Sequence, residues 1–304
     1  MSSIKDVSAF AGVTVSTVSR YLSGKLNVLP ETEARILDAI RVLDYRPNSV
    51  ARALKLQRTS TVGIIVPCSI NPIFAEIVSG VYSVLSSRGY DYIQTAAERD
   101  TVRELRCLRQ LQERQVDGIL VIGNACLTDH YGQWEESGAI RKLPAVFINR
   151  CYEGPGPVRV LSDLAQGTYQ AVEHFCRRGH RRVAMVTGTP GLEDTTVKEQ
   201  GYVRSLREHG LGPGLILPGF YRYEESYQAA QELLRLHRPD ALLGVNDLAA
   251  IAALNCANDM GLRVPEDVSV ISVDDVEVAR YFSPMLTTVH IPIRELGRQA
   301  ARTL

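Results

Sequence analysis

Apolar residues along this chain follow two rhythms, one up to about residue 45 and another from Thr61 onward. In the first region they recur three and four apart in short segments, which is helical spacing. Val7, Phe10 and Ala11 share one face of a predicted first helix, with Ser3 placed to cap it and Asp6 three residues later to answer the cap. Gly12 supplies a left-handed turn without a Cβ penalty, and Thr14 is placed to cap a second helix reaching about Leu22. Val18 and Leu22 should face inward there, leaving Val15, Ser16, Thr17 and Arg20 outward. A third helix is predicted from Pro30 to Leu43, with Ile36, Leu37, Ile40 and Leu43 toward a small core. From Thr61 the texture becomes apolar strands alternating with amphipathic helices. Strands are predicted at 62–66, 91–96, 117–122, 145–148, 183–187, 215–220, 241–245 and 269–273, with helices ending at Gly89, Gly179, Gly210 and Gly261. Such alternation implies parallel sheets covered by helices on both faces. So many strands suit two lobes better than one sheet, and Gly154 to Pro157 offers a crossing between them.

Two short helices joined by a glycine turn, with hydroxyls and a guanidinium near the start of the second, match a helix-turn-helix; an ordinary helical hairpin is the alternative. Net charge over the 304 residues is zero, but its distribution matters. Residues 1–60 hold nine Lys/Arg against five Asp/Glu, leaving 25 basic and 29 acidic residues for the remainder. A polyanion would therefore meet the first 60 residues. Between the two regions, Tyr45-Arg-Pro-Asn48 breaks the backbone, and Asn48 can cap one or two helical turns too short to stand alone. A plain linker is the other reading.

In the lobed region, ligands of doubly wound sheets bind beyond the carboxyl ends of the strands. The residues there are polar: Cys68 to Asn71 with Phe74, Asn149-Arg150, Thr187-Gly188, Asn246-Asp247 and Asp274-Asp275. No G-x-S-x-G, H-E-x-x-H, P-loop or G-x-G-x-x-G pattern occurs, and neither the six cysteines nor the six histidines have metal-ligand spacing. No catalysis, cofactor or metal is expected. No signal-like segment or run of ~20 apolar residues is seen, so a cytosolic protein is expected.

Taken in order, several segments resemble the lactose repressor and galactose repressor family of bacterial transcription regulators, nearest its purine repressor branch. They are Ile4-Lys-Asp-Val7, Val13 to Arg20, Tyr45 to Asn48, Val50 to Lys55, Arg178-Gly-His180, Asn246-Asp247, Gly261 to Ser269 and Pro284 to Thr288. The resemblance implies an all-α helix-turn-helix headpiece (residues 1–46), a hinge helix and linker (47–60), and a two-lobed α/β core of doubly wound parallel sheets like that of periplasmic binding proteins (61–304). It further implies a homodimer that binds a near-palindromic double-stranded operator. Thr14, Val15, Ser16, Thr17 and Arg20 would contact the major groove, and Asn48, Ala51, Leu54 and Lys55 the minor groove, with Leu54 as wedge. A small polar effector, a sugar or similar metabolite, would meet Ser69, Phe74, Asn149, Lys198, Tyr221, Asn246, Asp274 and Ile291. Lys198 stands where many relatives have Arg, which removes a forked contact. Leu29 replaces the usual Ser cap, with Pro30 compensating in part. The chain also stops after a predicted helix from Arg294, before a closing strand expected in the second lobe. Two competitors share parts of this pattern: a solute-binding module without operator binding, and a sugar-modifying enzyme using Asp274 and Asp275.

Overall fold

The computed structural model describes residues 2–24, 26–46, 58–123, 143–149 and 158–304. The chain divides into two compact units, residues 1–59 and 60–304.

The smaller unit is three helices, α1 (Ile4–Ala11), α2 (Val15–Leu22) and α3 (Pro30–Val42). Ser3 caps α1 reciprocally with Asp6: the Asp6 amide donates to Ser3 Oγ, and the Ser3 amide donates to Asp6 Oδ2 at 2.7 Å. Those bonds hold the Asp6 carboxyl below its usual range. Gly12 ends the helix at φ 64°, which swings the chain directly into the Thr14 cap of α2. Val7, Ala11, Val18, Ile36 and Ala39 form the buried centre, with Leu22, Ile40 and Leu43 at its margin. Phe10 and Leu37, expected inward, are 54% and 51% exposed. Ile36, Ala39, Ile40 and Leu43 lie three and four apart on the face of α3 that meets the core, and Leu37, one position past Ile36, is turned off that face. Leu29 provides no side-chain cap to α3, whose first residue is Pro30.

The larger unit holds two five-stranded, wholly parallel sheets. The first has order β2-β1-β3-β4-β5, from β1 (Thr61–Val66), β2 (Asp91–Ala96), β3 (Gly118–Ile122), β4 (Ala145–Ile148) and β5 (Val158–Val160). The second has order β10-β9-β8-β6-β7, from β6 (Val183–Thr187), β7 (Leu215–Pro218), β8 (Ala241–Gly244), β9 (Ser269–Asp274) and β10 (Thr287–His290). Central strands are buried throughout, as parallel strands covered on both faces must be. The intervening helices are α4 (Pro72–Ser87), α5 (Thr101–Glu113), α6 (Leu164–Arg177), α7 (Glu193–Glu208), α8 (Tyr223–Glu232), α9 (Asp247–Asp259) and α10 (Ile293–Thr303). Gly89, Gly179, Gly210 and Gly261 all adopt positive φ after helices, as their positions predict.

Residues 154–157, expected to carry the crossing between lobes, lie outside the described residues. The crossing follows β5: that strand still pairs with β4, whereas α6 packs against α7 and the second sheet. A second crossing comes after β10, because α10 packs on α4 and the first sheet rather than on the lobe that precedes it. Two glycines allow this close packing. A Cβ on Gly80 would fall 2.1 Å from the Arg294 carbonyl oxygen, and one on Gly297 would fall 2.1 Å from that of Ile77. Both strands missing from the sequence reading, β5 and β10, are sheet edges of three and four residues with mixed exposure.

Candidate functional site

On the small unit, Thr14, Val15, Ser16 and Arg20 are exposed, and Thr17 is half-buried. The Thr14 hydroxyl accepts from the Thr17 amide at 3.2 Å and lies 2.8 Å from Ser16 Oγ and 2.9 Å from Thr17 Oγ1. Three hydroxyls thus gather at the N-terminus of α2, where free amides and the helix dipole favour anionic groups such as phosphate oxygens. Arg20 projects its guanidinium from the same helix with no protein partner among the described residues. Val18, facing the other way, is fully buried and fixes which side of α2 is presented. Asn48, Ala51, Leu54 and Lys55 lie outside the described residues.

In the larger unit, a cleft of about 610 Å³ of empty space, partly open to solvent, lies beyond the carboxyl ends of both sheets. Each of the ten strands contributes a lining residue at or soon after its end. Phe74 follows β1, Arg99 β2, Gly123 β3, Asn149 β4 and Leu164 β5; from the second lobe come Lys198, Tyr221, Asn246, Asp274 and Ile291, in strand order β6 to β10. Seven of the eight residues singled out from sequence therefore share one cavity. Ser69 does not line it and is exposed; Asn71, which caps α4, lines the wall instead, since the helix begins at Pro72 and turns Asn71 inward.

Three asparagines in the lining are oriented by the backbone. Asn71 Oδ1 accepts from the Ile73 amide at 3.2 Å, Asn149 Oδ1 from the Ser162 amide at 2.7 Å, and Asn246 Oδ1 from the Ala249 amide at 3.0 Å. Each partner is an N–H, so the oxygen is committed and the amide nitrogen is left as a donor. None of the three nitrogens has a partner among the described residues.

Charge is concentrated at the second-lobe wall. Lys198 and Asp274 are both buried, at 4% and 3% exposure, with Nζ and Oδ1 3.7 Å apart. Lys198 donates to the Val245 carbonyl at 2.9 Å, whereas Asp274 Oδ1 has no hydrogen-bond partner. Burial pushes the Asp274 carboxyl up to about 7, with the Lys198 ammonium opposing that rise. The backbone around it is held by Asp247, whose carboxylate accepts from the Val276 amide at 2.7 Å, from Thr288 Oγ1 at 3.0 Å and from Ser272 Oγ. Asp274 and Asp275 both sit at positive φ, 134° and 62°, a conformation that needs such outside support.

Tyr221 forms a second wall. Its hydroxyl lies 3.1 Å from Thr195 Oγ1, and burial raises its pKa well above the usual value. The ring packs against Gly188, where a Cβ would come within 2.2 Å of it. From the opposite lobe, Arg99 lies 5.0 Å from the ring centroid and donates to the Phe220 carbonyl at 3.4 Å, while its buried Nε has no partner. Arg99 and Asp194 are lining residues that sequence reasoning missed. Asp275, paired with Asp274 in the enzyme reading, does not line this cleft. Its carboxylate is held by His290 Nδ1 at 2.8 Å and Arg280 at 3.3 Å.

Among the described residues no cluster could hold a metal ion, and no helix is long and apolar enough to cross a membrane. A family model described as bacterial regulatory proteins, lacI family, matches residues 3–48, and one described as a periplasmic binding protein-like domain matches residues 172–304. The chain is 35% identical over 309 residues to the HTH-type transcriptional repressor PurR of Aliivibrio salmonicida, covering all of this chain and 91% of that one. Among solved structures, a transcriptional regulator CelR–cellobiose complex is 32% identical with TM-score 0.71, covering 100% of this chain and 92% of that chain. The Lac repressor bound to ONPG in its repressed state is 25% identical with TM-score 0.87, covering 99% and 91%. The chain belongs to the lacI family of bacterial regulatory proteins, on its purine repressor-like branch.

Proposed function

We infer that this protein is a sequence-specific DNA-binding transcriptional repressor whose operator affinity is set by a small polar ligand in the cleft. The observation that carries the ligand half of this reading is the buried Asp274 Oδ1, which has the Lys198 ammonium 3.7 Å away but no hydrogen-bond partner. A buried acceptor without a partner costs free energy unless something supplies a donor, and a ligand hydroxyl or N–H does so. Around the same cleft, the three asparagine nitrogens offer donors and the buried Arg99 Nε lacks an acceptor. A molecule carrying donors and acceptors around an apolar face that packs on Phe74 satisfies both demands; sugars and nucleobases have that form. Among the similar structures, the CelR–cellobiose complex is consistent with the sugar class.

For DNA, Arg20 is the guanine reader, its forked donors matching O6 and N7, with Val15 and Ser16 on neighbouring base edges. Residues 47–60 act as a hinge segment that folds in the minor groove with Leu54 as wedge, in a homodimer on a near-palindromic site. Ligand binding changes how the lobes sit about the cleft and through this the hinge, a coupling of typically ~1–3 kcal/mol. The protein works in the cytoplasm, where its operator is, and catalyses nothing: Asp275 is turned to His290 and Arg280, so the acid and base of the enzyme reading do not converge.

The test screens sugars and nucleobases by thermal shift on the full-length protein and on Asp274→Asn, then measures operator affinity with each hit. A hit that stabilises the wild type, fails on Asp274→Asn and changes operator affinity about 5- to 150-fold supports the reading. A hit that meets the first two conditions and leaves operator affinity unchanged contradicts it.

A further inference from the structure

We propose that the end of the second sheet opposite the cleft is a docking surface for an acidic protein segment carrying an apolar residue. At the amino ends of β6, β7 and β8 lies a solvent-open groove of about 680 Å³ of empty space. Leu206, Leu211 and Leu215 line it, with Arg181, Arg182 and His237 at the same groove. Leu236, next to His237, is 64% exposed, and Leu215 is 39% exposed. Apolar surface left open beside cations is how a pocket for an anchor residue within an acidic partner is built.

Charge on the bordering segments is predominantly positive. Arg178, Arg182, Arg207, Arg235 and Arg238 have no side-chain partner among the described residues, and the Arg181 guanidinium meets only the Cys176 and His180 carbonyls. Most acids of these segments are already engaged: Glu173 with Arg177 at 3.0 Å, Glu208 with the Tyr169 hydroxyl at 2.8 Å, and Asp240 with the Arg181 and Arg182 amides at 3.1 Å and His180 Nδ1 at 3.5 Å, whereas Glu232 at the end of α8 is exposed. On the segment entering β9, Asp267 is bound bidentately by Arg263, which leaves Glu266 as the one acid there without a partner. Residues 61–304 carry more acidic than basic residues in total, so this basic end is a local concentration and not a share of a general excess.

The backbone has an irregular feature at the same place. Leu233–His237 forms a π-helical turn closed by Arg238 at φ 45°. Single π turns weaken a helix and recur where a surface is used. Here the turn and its left-handed exit bring Leu236, His237 and Arg238 to the rim. Because every strand of the sheet is parallel, this surface and the ligand cleft sit at opposite strand ends, so both can be filled together.

The test is fluorescence anisotropy of a labelled 14-residue Asp/Glu peptide with two central leucines, titrated with the full-length protein at low and moderate salt. Saturable binding is expected, weakened about tenfold or more by Arg178→Glu with Arg182→Glu and about threefold or more by Leu236→Ser. Binding of nonspecific duplex DNA should stay within twofold in both variants. No saturable binding, or a change under threefold with the arginine reversals, would overturn the proposal. Equal binding of a leucine-free peptide with Leu236→Ser silent would also overturn it, by showing a bare polyanion surface.

Discussion

Replacing Lys198 with Met tests the charge arrangement at the cleft wall. The Lys198 and Asp274 charges lie 3.7 Å apart, each under 5% exposed. At an effective dielectric of ~20 such a pair is worth about 4 kcal/mol. Removing one partner of a buried pair typically costs ~3–5 kcal/mol, because the other charge is left uncompensated. At roughly 2–4 °C per kcal/mol for a unit of this size, Lys198→Met should lower the Tm of residues 60–304 by about 10 °C at pH 8. The cost depends on pH in a defined direction. The Asp274 carboxyl is raised to about 7 in the folded protein, above its unfolded value, so its ionised form opposes folding above pH ~7 and that penalty is relieved as pH falls toward 4. Without the ammonium the carboxyl rises further, and relief begins at higher pH. At pH 5.5 Asp274 is protonated in both proteins, and the wild type alone retains a buried ammonium without its counter-charge. The Tm difference should therefore narrow toward pH 5.5 by up to ~1.4 kcal/mol, the one pH unit by which pH 8 exceeds the wild-type value, or about 3–5 °C. Scanning calorimetry of both proteins across pH 5.5 to 8 measures it. An equal difference at both ends, or one under 2 °C at pH 8, would show that the pair does not set the electrostatics of the wall.

Gly297→Ala places a methyl against the Ile77 carbonyl, which cannot rotate away, so α10 must move off α4. A loss of about 2–4 kcal/mol is expected in urea unfolding, whereas Gly261→Ala, with open space at its Cβ, should show only the smaller strain of its positive φ. Gly188→Ala should displace the Tyr221 ring and weaken ligand affinity more than stability, readable by calorimetry with a hit from the ligand screen; unchanged affinity would remove Tyr221 from the site. Arg20→Ala should cost ~1–3 kcal/mol of operator binding and relax selection at one base pair per half-site, seen by comparing selected sequences.

Much of the architecture is readable from local chemistry. Reciprocal Ser3 and Asp6, Gly12, Thr14, and the four helix-ending glycines each specify their turn without tertiary help. What sequence reading loses depends on long-range packing. Edge strands β5 and β10 are too short and too exposed for a periodic signal. Phe10 and Leu37 fit the apolar pattern but fall outside a core filled by smaller residues. In the cleft, Arg99 and Asp194 belong to charged runs, Glu98-Arg-Asp100 before α5 and Glu193-Asp194 at the start of α7, that look like solvated surface. Only the positive φ of Arg99 and its approach to Tyr221 across the lobes give it a place in the wall. The return of α10 to the first lobe was equally hidden, although Gly80 and Gly297, glycines inside helices, were the available clue.

The central claim, control of DNA binding by the small unit, is tested most directly by selecting random duplex DNA with purified full-length protein and titrating the winning sequence across a salt series. The account predicts a near-palindromic site whose affinity falls steeply with salt, as release of many phosphate counterions requires, and whose selection is lost with Arg20→Ala. Failure to enrich any sequence, with the ligand hits present or absent, or an enriched site that survives Arg20→Ala unchanged, would contradict it.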